Sequence, residues 1–543
     1  MSQKESNKRN WFEHPVFLAG SLFALPLLLF WEAQYYLFVG IDDSLYVWNN
    51  PTVIRGLTWA GIQDVFTRPI FSLYHPLTWA SLMADSSIFG RTEQSYHRTS
   101  ILLHCANVTL LFLILRRATG QALPAAFAAA IFAVHPLNIE SVAWVSSRKD
   151  VLGGFFWLLG CFAYCAIPVS RNYLRIATVT TLYVMSLLSK GSMIAFPFTL
   201  LLLDYWPLGR FGSPPSVHWK TLRQALLEKT PLLSVFLVFV GVSFSSATQT
   251  LKVNEVVPLT NRISDAIINY AMYIGKFFAP INLSAQYPYP VNGWSTLTIV
   301  GSAVLLAAIT ATAWFTRKRF PFIAVGWLWF VGVMAPLCGI IIVGSHSRAD
   351  RYMYVPIIGL AIIATWGGLA LINKLRLPST LRPVAAVTIL TAYTVAAWTA
   401  IPNWRDEKTL AAQMVDAQEW NPMGHYLMAK ALEGEGNAQG ALEHFERQLE
   451  LAPRDASGHV GIGNLQLGIG AYDSAAIWFE KAMKLDPYSA QSHYGLATAK
   501  AMTGHSKEAV VHLQQCLELQ PDHLAAQQLL AELETIGSLA APP

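Results

Sequence analysis

Apolar runs long enough to cross about 30 Å of hydrocarbon recur through the first 400 residues, and they restrict the fold more than any other feature of the chain. The runs lie near 15–38, 99–115, 122–137, 150–168, 173–189, 191–208, 231–248, 296–316, 320–343, 352–373 and 383–401. Backbone polar groups in lipid must be satisfied within their own segment, so each run is expected as a helix. That reading gives eleven crossings. A further run, 263–281, carries Asp265, Asn269 and Lys276 and is expected to lie along the interface. Composition agrees: 53% of residues are apolar and 13% charged, against roughly 25% charged in a soluble domain.

The basic residues flank the runs: Lys4, Lys8 and Arg9; Arg116 and Arg117; Arg171 and Arg175; Arg210, Lys220, Arg223 and Lys229; Arg317 to Arg319; Lys374, Arg376 and Arg382. The positive-inside rule makes their side cytoplasmic. Orientation therefore accounts for the net charge of +5, and a nucleic-acid partner is not indicated. An odd number of crossings places the C-terminus on the exoplasmic side. The first run continues past Phe30 without a small-residue cleavage site and reads as a retained helix. Cys105, Cys161, Cys165 and Cys338 sit in apolar segments; with Cys516 they outline neither a disulfide framework nor a metal motif.

Beyond Asn403 the composition changes to Glu, Gln, Ala, His and Lys, and a period of 34 appears. Pro453, Pro487 and Pro521 are in register, as are Gly436, Gly470 and Gly504, and Ala441, Ala475 and Ala509. Such a period, with a Gly turn, a small Ala at the helix crossing and a closing Pro, is the tetratricopeptide pattern. Phe445, Phe479 and Leu513 take the large apolar position. The expected domains are 1–402 in the membrane and 403–543 as an exoplasmic α-solenoid, with repeats at 422–455, 456–489 and 490–523 and a cap at 524–535. The fold class is all-α. The stack is expected either to hold an acceptor segment or to act as a scaffold.

Two exoplasmic loops, about 40–97 and 135–150, gather the remaining ionisable residues. The first opens with Asp42-Asp43; adjacent carboxylates at a membrane surface are costly unless solvated or used. One of them would serve as general base on a hydroxyl acceptor, and a solvated helix cap fits the spacing equally well. The same loop holds Arg68, His75 and His97 as acceptor or loop candidates. The second holds His135, Glu140 as a further acid, and Arg148, Lys149 and Asp150. Arg148, Lys149, Lys190, Arg348 and Arg351 run against the positive-inside tendency. A shared anion would explain all five, notably a lipid-linked phosphate whose leaving-group charge must be stabilised. Local pairing, Arg148 with Asp150 and Arg351 with Asp350, would explain them singly. The histidines lack ligand spacing, so no metal is assigned, although Asp42, Asp43 and Glu140 together would suit one Mg or Mn ion.

These residues resemble a family. Asp42-Asp43, Val47-Trp48-Asn49-Asn50-Pro51, Arg68-Pro69, Tyr96-His97 and Leu102-Leu103-His104, then HPLNIESVAWVSSRKDVL from His135, then Asp350-Arg351-Tyr352-Met353-Tyr354-Val355-Pro356, are similar to the motifs of the transmembrane and tetratricopeptide-repeat O-mannosyltransferases. With the repeats, the resemblance covers nearly the whole chain. It implies a C-type glycosyltransferase fold, a polyprenyl-phosphate sugar donor and a protein Ser/Thr acceptor. Asp42 or Asp43 would be the base and Glu140 the second-loop acid, with Arg148 and Arg351 near the lipid phosphate. Ser189-Lys190-Gly191 departs from the Lys-Glu of animal members. The three repeats and Leu203-Asp204-Tyr205-Trp206-Pro207-Leu208 resemble bacterial members, which implies a bacterial inner membrane with site and repeats facing the periplasm. The expected activity is an inverting single displacement. The alternatives are an oligosaccharide transferase, a lipid- or polysaccharide-modifying transferase, and a membrane-anchored scaffold.

Overall fold

The computed structural model describes residues 14–70, 74–211, 219–246, 257–290, 293–341 and 346–539; Lys4, Lys8 and Arg9 lie outside them. Contacts divide the chain into Met1–Asp406 and Glu407–Pro543.

Among the described residues each of the eleven apolar runs is built on helix, but not all as unbroken spans; residues 247, 248, 342 and 343 of two runs lie outside them. Five helices are long and apolar enough to cross a membrane alone, Glu93–Thr119, Val145–Ala166, Thr296–Thr316, Ile357–Lys374 and Leu381–Trp404, and up to seven if each of two bent pairs is one span. Pro15–Leu29, Met193–Tyr205 and Pro321–Leu337 are apolar but shorter. The expected eleven full-length crossings are thus corrected, and the breaks have local causes. Proline has no N–H to continue a helix, and at His135-Pro136 the chain turns by 56° between Ala122–Val134 and Pro136–Ala143. The first run stops at Leu29 and passes through a tight turn, Trp31–Tyr35. Along Thr296–Thr316 only Ala313 is buried, while Leu297 and Phe315 are 83% and 80% exposed. A contiguous apolar face of this kind is stable against lipid, not water. The chain is a multi-pass membrane protein.

Within this unit, Arg148–Ala166 and Asn172–Ser189 form an antiparallel pair. Where they are joined, Arg175 pairs with Glu228 at 2.6 Å, and Arg210 and Lys229 with Asp204 at 3.0 and 2.5 Å, around the Tyr164 hydroxyl. Two of the expected orienting cations, Arg175 and Lys229, are therefore held in buried ion pairs, and Arg210 in a partly buried one. The opposite ends of the two helices carry Arg148 and Lys190.

The helix Leu259–Phe278, on the run expected at the interface, buries Asp265, Asn269, Tyr273 and Phe277 along one face. Asn269 donates to the Cys338 and Ser347 carbonyls, and Tyr273 donates to the Ala349 carbonyl at 2.8 Å. The face thus holds a short extended segment, His346–Arg348, which pairs antiparallel with Tyr287–Pro288. Beyond it, Ile357–Lys374 packs on Pro321–Met334 at a glycine contact. A Cβ added to Gly359 would fall 2.3 Å from the Gly326 carbonyl oxygen, and one added to Gly326 would fall 2.4 Å from that of Gly359.

The second unit opens with Glu407–Ala417. Three hairpins follow, Pro422–Gly434 with Ala438–Leu451, Ala456–Gly468 with Tyr472–Leu485, and Ala490–Met502 with Ser506–Leu519, and then Leu524–Leu539. Gly436, Gly470 and Gly504 take φ of +79°, +78° and +84° at the turns, a region that favours glycine. Ala441, Ala475 and Ala509 are fully buried at the crossings, and so are Phe445, Phe479 and Leu513. Phe479 lies over both Gly463 and Gly495, and a Cβ on Gly495 would come within 2.3 Å of its ring.

Because carbonyl oxygens of a packed helix cannot yield as a side chain does, Gly359→Ala should destabilise the membrane unit by about 1–3 kcal/mol. Thermal unfolding of the purified chain in detergent reads this; an unchanged midpoint would show that the helix pair separates freely.

Candidate active site

The two expected loops meet. In the first, the Asp42 carbonyl accepts the amides of Leu45 and Tyr46 at 3.0 and 2.9 Å and starts the wide turn Ser44–Trp48. Asp43 is 1% exposed. Its Oδ1 accepts the Ser146 amide at 3.0 Å and the Ser146 hydroxyl at 2.5 Å, and its Oδ2 accepts the Val39 amide at 3.0 Å. Burial pushes the Asp43 carboxyl up to about 6, against the pull of these donors. Asp43 therefore fastens one loop to the other. Asp42 is half-buried, and its carboxylate has no hydrogen-bond partner among the described residues.

The second loop continues as Ile139–Ala143 and a turn at Val145–Ser147, then enters the helix Arg148–Ala166. Glu140 and Arg351 form a buried ion pair, and the Glu140 carboxylate also accepts the Arg351 amide at 2.7 Å. Lys190, just past Asn172–Ser189, pairs with Asp150 and lies 5.7 Å from the Tyr352 ring centroid. Lys149 donates to the Tyr46 hydroxyl at 2.9 Å. It has no carboxylate within ion-pair distance among the described residues, and Asp42 lies within its electrostatic range. Lys190 is in range of both Lys149 and Arg351. Three cations from three segments thus face one region against two paired carboxylates, beside the loop that carries Asp42.

His75 and His346 border the same region. Burial, then Lys149 and Lys190, lower His75 to about 3; burial, then Arg351 and Lys149, lower His346 to about 3. Both are neutral at physiological pH. His346 Nε2 is 2.9 Å from the Tyr352 hydroxyl and 3.3 Å from an Arg351 nitrogen. A guanidinium only donates, so Nε2 accepts and Nδ1 carries the proton, without a partner among the described residues. His346, Ser347, Tyr352, Tyr289 and Gly339 line a small recess with room for about one water.

Other expected residues do not converge. Arg148 is fully buried, with its guanidinium held by Asp85 at 2.8 Å, the Ser100 and Ser81 hydroxyls, and the Tyr96 carbonyl. Arg348 lies over the Tyr287 ring at 4.4 Å, with Asp350 in its electrostatic range. Arg68 is exposed and pairs with Asp64. His97 is buried beside the backbones of Tyr36 and Ala143. His135 is held structurally: its Nδ1 accepts the Leu137 amide at the helix break, and its Nε2 donates to the Phe277 carbonyl of Leu259–Phe278 at 2.9 Å. Asp42, Asp43 and Glu140 do not form a metal cluster; no group of three His, Cys, Asp or Glu suited to a metal occurs among the described residues. The local pairings also fail, since Arg148 bonds Asp85 and not Asp150, and Arg351 bonds Glu140 and not Asp350. Asp350 instead accepts from the Tyr287 hydroxyl at 2.8 Å and the Ser284 amide at 3.1 Å. Sequence reasoning missed Tyr46, Ser146, Asp150, His346 and Tyr352. Only Asp150 and Tyr352 had a signal, as neighbours of the expected cations.

The chain is similar to known proteins both in its repeats and along most of its length. A tetratricopeptide repeat profile matches 456–489 and 490–523, the ranges of the second and third repeats. The chain is 23% identical to Protein O-mannosyl-transferase TMTC1 of Homo sapiens, over 78% of this chain and 54% of that protein. It is 24% identical to the human Protein O-mannosyl-transferase TMTC3, over 72% and 46%. The chain is similar along most of its length to proteins named protein O-mannosyl-transferases. It spans about half the length of these curated relatives. A crystal structure of ArnT from Cupriavidus metallidurans bound to undecaprenyl phosphate aligns over 92% of this chain and 79% of that one, at 15% identity and a TM-score of 0.34, too low to carry an argument.

Two outcomes follow from this arrangement. Asp43→Asn replaces an oxygen that accepts with an NH₂ that faces a donor, so it should lower the thermal midpoint, by about 1–3 kcal/mol of stability. Asp42→Asn should leave the midpoint unchanged, and equal melting of the two variants would contradict the anchoring role of Asp43. With His75 and His346 neutral across pH 5–8, the acid limb of any pH–rate profile should persist in His75→Gln and His346→Gln; its disappearance in either would show that a histidine ionises there.

Proposed function

We propose that the chain is a glycosyltransferase that moves a sugar from a polyprenyl-phosphate donor to a Ser or Thr hydroxyl of an exported protein, on the non-cytoplasmic face of a bacterial inner membrane. The observation that carries this reading is the group of three cations, Lys149, Lys190 and Arg351, set against two carboxylates beside the unpartnered carboxylate of Asp42. A departing phosphate supplies the anion this group lacks. Relatives named protein O-mannosyl-transferases support the same class, with mannose as the first sugar to test.

In this mechanism Asp42 takes the proton of the acceptor hydroxyl as its oxygen attacks the anomeric carbon. The bond from that carbon to the phosphate oxygen breaks, and its electron pair leaves with the phosphate. Lys149, Lys190 and Arg351 stabilise the charge that develops there. Glu140 holds Arg351 from both backbone and side chain, and Asp150 holds Lys190, so neither cation must reorganise as the bond breaks. Attack from the face opposite the leaving group inverts the anomeric centre. Arg148, engaged by Asp85, frames the loop without touching the phosphate. The repeats hold the acceptor segment.

The test is transfer by the purified full-length chain in nanodiscs, with polyprenyl-phosphate-linked mannose or glucose and Ser/Thr peptides. Wild type should glycosylate, Asp42→Asn should lose nearly all activity, and Arg351→Ala should fall by about 10²–10³. Wild-type activity that survives in Asp42→Asn would remove Asp42 as base. Transfer only to lipid or polysaccharide would move the chain to the other transferase class.

A further inference from the structure

Two of the contacts that join the loops lie one helical turn apart on each side. Asp43 meets Ser146, and three residues further along both segments Tyr46 meets Lys149. The first contact is a buried carboxylate clasp. The second is different, because it ends on a cation that has no carboxylate partner.

Tyr46 is 2% exposed, and its ring is fixed against Trp79 with centroids 4.5 Å apart. Its amide holds the Asp42 carbonyl at 2.9 Å. Its hydroxyl accepts one proton of the Lys149 ammonium at 2.9 Å, while the ammonium stands 4.5 Å from the ring centroid. On its other side Lys149 lies 5.8 Å from the Trp144 ring, which also carries the Arg351 guanidinium at 5.1 Å and stacks on Trp404. A lysine ammonium is a point charge on a flexible four-carbon stem with three rotatable donors, so it has no geometry of its own. Arg351 and Lys190 are aimed by carboxylates; Lys149 is aimed by an aromatic hydroxyl, with no carboxylate within ion-pair distance among the described residues.

We infer that Tyr46 is a positioning residue that makes the candidate base and the free donor-phosphate cation one unit, holding Asp42 through its backbone and Lys149 through its hydroxyl. This inference rests on the proposed phosphate site. With one ammonium proton on Tyr46, the other two point to the phosphate, and the distance between Asp42 and the leaving group is set within a single residue. A carboxylate in place of the hydroxyl would aim Lys149 equally well but neutralise it.

Binding of polyprenyl phosphate without sugar, to the full chain in nanodiscs, separates the cases. Wild type should bind, and Tyr46→Phe, which keeps the ring and loses the hydroxyl, should bind about tenfold more weakly. In steady-state transfer the same variant should raise the donor KM by a similar factor and leave the acceptor KM unchanged. A residue that merely supports the fold would reduce the active fraction without moving the donor KM, so an unchanged donor KM and affinity in Tyr46→Phe overturns the positioning role. Lys149→Ala should weaken binding and make the further change Tyr46→Phe silent; additive losses would also overturn it. If wild type itself fails to bind polyprenyl phosphate, the phosphate site falls, and with it the reading on which Tyr46 depends.

Discussion

The ion pair between Glu140 and Arg351 organises the membrane unit. It joins residues 211 positions apart, and the same carboxylate also receives the Arg351 amide. Burying two charges costs several kcal/mol per ion unless the geometry and added hydrogen bonds compensate, and here side chain and backbone meet the carboxylate together. Such a pair is weak evidence for stability but strong for register: only one placement of the second loop against 346–354 satisfies it. The segment His346–Arg348 is held from the other side by Asn269 and by pairing with Tyr287–Pro288. The helix beyond it is seated by the Gly326–Gly359 contact. Removing either partner would leave an uncompensated buried charge.

Around that pair the protein sorts its charges into two kinds. Arg148 with Asp85, and Arg175, Arg210 and Lys229 with Asp204 and Glu228, are closed pairs among helices, all buried but for the partly exposed Arg210. They define how helices meet. Lys149, Lys190 and Arg351 are held in place without being collectively neutralised, and Asp42 is held by its backbone with its carboxylate free. A site that must stabilise charge developing during a reaction needs that surplus preorganised. The same contrast separates the two adjacent acids: Asp43 has three donors and Asp42 has none among the described residues.

Much of this was legible in the sequence, for identifiable reasons. The 34-residue period shows because the Gly turn, the buried Ala and the closing Pro each tolerate few residues, so the repeats repeat their chemistry. Apolar runs show because lipid permits little else. Asp42, Glu140, Lys149, Lys190 and Arg351 stood out because charge at a membrane surface is costly. What the sequence could not supply was partnership. Arg148 looked like Lys149 until Asp85, 63 positions earlier, proved to hold it. Tyr46, His346 and Tyr352 are ordinary aromatic residues in an aromatic-rich chain and acquire meaning only from what they touch. Helix length was misread for a related cause: a hydropathy run does not reveal the breaks at Phe30 and His135, where apolar composition continues while the helix axis does not.

The account depends on the phosphate lying among Lys149, Lys190 and Arg351. A structure of the chain with bound polyprenyl phosphate, determined by electron microscopy in nanodiscs, measures this directly. The account predicts phosphate oxygens within hydrogen-bond distance of at least two of the three cations, with Asp42 facing them across the space for the sugar. Phosphate density at Arg148, or at the Asp204–Glu228 cluster at the other ends of the helices, would contradict it.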